Sequence, residues 1–63
     1  MPITPPLKII HHPESFGIID AEGRNLAYVY FEDEAARRNS TNRLTEPEAL
    51  EVAQKIAWAL SAP

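Results

Sequence analysis

The sequence predicts an α+β fold: a small antiparallel sheet of two or three strands with one C-terminal amphipathic helix packed on one face. Three observations predict it. Two β-prone runs, SFGII and NLAYVYFE, flank Asp20-Ala21-Glu22-Gly23, and this arrangement reads as a hairpin. Thr45 followed by Glu48 reads as a capping box at a helix start. Beyond it, Ala49, Val52, Ala53, Ile56, Ala57 and Leu60 fall on one side of a helical wheel.

The chain has 63 residues, enough for one domain that hides only about 60% of the surface its unfolded form exposes. With no cysteine, disulfides and thiolate zinc sites are excluded, which leaves good packing or oligomerisation to supply stability. The net charge of -3 gives no general attraction to nucleic acid or to an anionic membrane. The longest uncharged apolar run, Leu26 to Phe31, is far short of the roughly 20 residues that cross a bilayer. A cytoplasmic location with no membrane contact is therefore expected.

Residues 1–6, MPITPP, are expected to form a disordered, proline-rich arm. Residues 7–63 form the single domain. Pro2 to Pro5 match a PxxP pattern, which in so short an arm is weak evidence of a ligand. LKIIHH reads as a short strand that Pro13 ends by removing a backbone donor. At the hairpin, Asp at the first turn position and Gly at the fourth suit a type I turn followed by a left-handed residue and a bulge.

Pairing Asp20 with Arg24 puts Ile18 opposite Leu26 and Phe16 opposite Tyr28. The strands then divide into two surfaces. One carries Phe16, Ile18, Leu26, Tyr28 and Tyr30, the bulkier set, which is assigned to the helix. The other carries Ile19, Ala27, Val29 and Phe31 and is left uncovered. A slip of one residue would exchange the two.

The segment EDEAARRNSTNR reads as a solvated connection with at most a turn of helix, in which Asp33 would meet Arg37 and Glu34 would meet Arg38. In the C-terminal helix, Pro47 is tolerated in the first turn, and Glu46 and Glu48 favour its positive end. Glu51, Gln54, Lys55 and Trp58 fall on the polar side. Trp58 is anomalous there: either a contact anchor, or a ring laid against neighbouring side-chain stems or the arm.

His11, His12 and Glu14 are the one metal-like cluster, but adjacent strand residues point to opposite faces and no further ligand is evident. No metal or cofactor is expected. Ser15, Ser40, Thr41 and Ser61 have no spaced histidine and acid to activate them, and the two glycines stand alone, so no phosphate loop exists. The chain reads as no enzyme. Arg37, Arg38 and Arg43, with tyrosines on the sheet, offer a second reading as a small nucleic-acid-binding accessory.

The runs DAEGRNLAYVYFEDEAARR and LTEPEALEVAQKIAWAL resemble a group of short uncharacterised alpha-proteobacterial proteins of rhizobial type. In that group a DANG-type turn, an LAYVYFED strand, an RR pair and an LTxDEA-type capped helix follow in the same order. The likeness spans roughly Ser15 to Leu60 and implies a bacterial origin and a ββα order, with no function attached. The functional expectation is a protein-interaction or self-associating module, pairing with a protein partner or a second copy through Ala27, Val29 and Phe31 and through Trp58.

Overall fold

A computed structural model describes residues 3–61 of the chain. Three strands, β1 (Lys8–His11), β2 (Ser15–Ile19) and β3 (Asn25–Tyr30), precede two helices, α1 (Ala35–Thr41) and α2 (Glu46–Ser61). The sheet is an antiparallel meander in the order β1-β2-β3. Pro13 lies in the β1–β2 turn, where the His12 amide donates to the Ser15 carbonyl at 2.8 Å. No helix among the described residues is long and apolar enough to cross a membrane.

The hairpin turn forms as its residues dictate. Asp20 and Arg24 are joined through the backbone (3.1 Å), Gly23 donates to the Asp20 carbonyl (3.0 Å), and Gly23 takes φ +81°. That left-handed conformation is one a side chain resists. The Asp20 carboxylate fastens the turn from inside, accepting from the amides of Glu22 and Arg24, both at 3.0 Å, and from Arg24 Nε at 2.8 Å.

Thr4, within the segment expected to be a loose arm, is hydrogen-bonded to this turn. The Ala21 amide donates to the Thr4 carbonyl at 2.7 Å, and Arg24 reaches Thr4 Oγ1 at 3.3 Å. Pro2, the first residue of the PxxP match, lies outside the described residues.

Beyond the turn the register departs from expectation. Ile19 faces Asn25, but Ile18 faces Ala27, Gly17 faces Tyr28 and Phe16 faces Val29. Leu26 is the extra residue of a second bulge. Leu26 and Ala27 both pack against the core although they are consecutive, which a bulge permits and a regular strand does not. The shift by one residue exchanges the two faces of β3.

The helix therefore covers Phe16 and Ile18, as expected, together with the side of β3 expected to be open. Val29 and Phe31 are 9% and 6% exposed and join Phe16, Ile18, Ala49 and Ala53 in the core, with Ala27 packed against them. The expected interface of Ala27, Val29 and Phe31 is corrected: these residues are the floor on which α2 lies. Ala49 and Ala53 are fully buried, and their small side chains let α2 approach the Phe16 and Ile18 side chains closely. Val52, expected on the buried side, is exposed at its margin.

Capping fixes where α2 starts. Thr45 N–H donates to Glu48 Oε1 (2.9 Å) and Glu48 N–H to Thr45 Oγ1 (3.3 Å), the reciprocal pair of a capping box. These bonds from the Thr45 backbone and hydroxyl, with the Arg38 charge nearby, hold the Glu48 carboxyl below its usual pKa. Just upstream, Leu44 bridges Phe31 in parallel and accepts from the Glu32 amide at 2.8 Å, aligning the helix with the end of β3.

The connection between sheet and α2 is more ordered than a solvated loop. It forms α1, which buries no residue and ends at Asn42, whose left-handed conformation is φ 56°, ψ 37°. The expected pairs across it do not form. Arg37 instead meets Glu32 (3.1 Å), and Arg38 donates to the carbonyls of Glu32 and Asp33 (3.1 and 3.3 Å).

Candidate functional site

The open face of the sheet is built from the residues that alternate with the core set. Ile10 on β1 and Tyr28 on β3 both sit opposite Gly17, and Ser15 sits opposite Tyr30. On this face the central strand offers Ile19 near the hairpin turn and, further along, only Ser15 and Gly17. The rings of Tyr28 and of His12, from the β1–β2 turn, crowd over Gly17.

Gly17 is required for that arrangement. A Cβ there would lie 2.9 Å from His12 Nε2 and 3.4 Å from Tyr28 Cε1, so the two rings occupy the space a side chain would fill. Ring centroids are 5.9 Å apart for His12 and Tyr28 and 6.3 Å for Tyr28 and Tyr30. Arg43 extends the row, with its guanidinium carbon 5.0 Å from the Tyr30 centroid. Its NH1 is 3.8 Å from Glu14. Tyr28 and Tyr30 remain 48% and 50% exposed. The result is an aromatic strip, His12–Tyr28–Tyr30, ending in a cation, and such amphipathic rings bury large area with little loss of freedom.

On the other face, His11 stacks on Phe16 (5.0 Å, 21° between planes) and its Nε2 lies 2.8 Å from Glu46 Oε1. This pair joins β1 to the first turn of α2. It also borders a cleft of about 380 Å³ lined by His11, Phe16, Glu46, Pro47 and Leu50. His11 and His12 thus serve opposite faces, and no group of three His, Asp or Glu side chains suited to a metal occurs among the described residues.

Of the expected site residues, Trp58 stands on the exposed side of α2 with 74% of its surface free. Arg43 is the one arginine of the three brought to the tyrosines; Arg37 and Arg38 are engaged around the end of β3. The role of His12 and the pairing of His11 with Glu46 were missed. A signal for the second existed: if Ile9 faces the core, strand alternation sends His11 to the same side, over the acidic first turn of α2.

No family model, no curated protein and no solved structure matches the chain.

Proposed function

We propose that the chain is a non-catalytic interaction module that docks a protein partner on the open face of its sheet. The observation that carries this reading is the strip of His12, Tyr28 and Tyr30, with the tyrosines about half exposed. Exposed aromatic rows of this kind supply the anchors of protein interfaces. The groups otherwise suited to chemistry are engaged structurally: Asp20 in the turn, Glu48 in the cap, and His11 with Glu46 between sheet and helix.

Photocrosslinking in the source cell tests the reading, with a benzophenone amino acid replacing Tyr28 and, as control, Glu22 at the hairpin tip. A discrete protein adduct from position 28, lost when Tyr30→Ala is added, is the expected result. Adducts equal to those of the control would refute it.

A second reading, single-stranded nucleic acid stacked on the tyrosines, is favoured by the guanidinium of Arg43 beside Tyr30. The net charge of -3 works against it. Fluorescence anisotropy with a labelled single-stranded 12-mer at low salt decides: this reading requires binding that weakens with salt and with Arg43→Ala.

A further inference from the structure

The polar side of α2 carries a second stripe. At 100° per residue, Pro47, Leu50, Gln54 and Trp58 line up along the helix, with Trp58 about 140° around from Ala53 at the buried face. Leu50 and Trp58 are both exposed, and Pro47 and Leu50 also form one wall of the cleft that Phe16 and His11 complete. An apolar cleft and an uncovered indole therefore occupy the two ends of one stripe.

The spacing is symmetric. Leu50 lies four residues before Gln54 and Trp58 four residues after it, so an antiparallel copy of the helix centred on Gln54 sets Leu50 against Trp58 at both ends. We propose that a second copy of this chain docks here, α2 against α2 about a two-fold axis at Gln54, each copy seating its Trp58 in the cleft of the other. This is an isologous contact, in which the same patch serves both partners. Each cleft is completed by the other copy's indole, and the two Gln54 amides meet at the axis, where each can donate to the other.

Self-complementarity favours this occupant, since one patch carries both the indole and the cleft that takes it. Each indole brings about 150–250 Å² of burial, and the walls of the cleft, Pro47 and Leu50 among them, add a smaller area. With the two Gln54 side chains the contact stays below the roughly 1,000 Å² of a standard specific interface, so the dimer is a weak one that forms as concentration rises. The chain also falls in the size range where association commonly supplements a small core.

The absence of cysteine and the single tryptophan make the test clean. Light scattering after size exclusion over a concentration series should give a dimer, and Trp58→Ala should give a monomer with an unchanged circular dichroism spectrum. Dilution of the dimer should shift the Trp58 emission to the red. Gln54→Cys should oxidise to a disulfide-linked dimer, whereas Lys55→Cys, turned from the axis, should not. A monomer at millimolar concentration would overturn the proposal, as would a dimer untouched by Trp58→Ala. Tyr28→Ala with Tyr30→Ala must leave the dimer intact; loss of the dimer in that variant would also overturn it, by placing self-association on the sheet face.

Discussion

The carboxylate of Asp20, 1% exposed, lies 2.8 Å from the guanidinium of Arg24 four residues away. It also accepts from the amides of Glu22 and Arg24, and the Thr4 amide lies 3.4 Å from it. One acid thereby ties together the start of the chain and both arms of the turn.

This arrangement makes stability depend on acid pH. Burial pushes the Asp20 pKa up, but the hydrogen bonds from Arg24, Thr4 and Glu22 outweigh it and hold the carboxyl below its usual value. A group depressed in the folded state adds stability above its unfolded pKa of about 3.9, and that share is lost as pH falls through the folded value. Asp20→Asn should lower the melting temperature at pH 7 by several degrees. The difference from wild type should shrink as pH drops below about 4. Urea denaturation at pH 7, 4 and 2.5 checks this, and a difference independent of pH would contradict it.

Deleting Leu26 should be tolerated. The deletion removes the bulge and leaves Ile18 opposite Ala27 and Phe16 opposite Val29, at the cost of one half-buried side chain, on the order of 1–2 kcal/mol. Cross-strand NOEs between Phe16 and Val29 should persist. An insertion after Asn25 has no such escape.

Ala53→Leu should cost about 1–3 kcal/mol by overpacking, because Ala53 has no exposed surface. Chemical denaturation would show the loss, and Lys55→Leu, on the exposed side and turned from the Gln54 axis, is the control that should not destabilise the fold.

Thr45→Ala removes the hydroxyl that bonds Glu48 at both its amide and its carboxylate. The expected loss is about 1 kcal/mol, or roughly 4–8 °C in melting temperature for a domain of this size. Thermal unfolding followed by circular dichroism reads it directly.

LKIIHH alone leaves a third strand open, whereas the capping box, the Gly23 turn, the hairpin of β2 and β3 and the single covering helix were legible because each is written in local residue types. Which face of β3 the helix takes was not. That choice rests on Leu26 bulging, and nothing in Asn25-Leu26-Ala27 marks a bulge: Asn and Ala are weak strand formers, but no glycine stands there to locate one. The difference passes from the register to the site: a regular pairing puts Ala27, Val29 and Phe31 on the open face and sends Gly17 and Tyr28 to opposite sides, which hides the place of His12 beside both. Trp58 escapes the difference, since its place depends only on helical periodicity.

The bulge has a consequence for the order of folding events. Each strand pairs with its neighbour in sequence, so the meander closes through short loops at small entropic cost, before the distant helix has to be in place. A hairpin zipped from the Gly23 turn without the bulge would present tyrosines, rather than Val29 and Phe31, to the arriving Ala49 and Ala53. The extra residue at Leu26 therefore couples the docking of α2 to the register of the sheet, since only the bulged pairing turns Val29 and Phe31 towards Ala49 and Ala53.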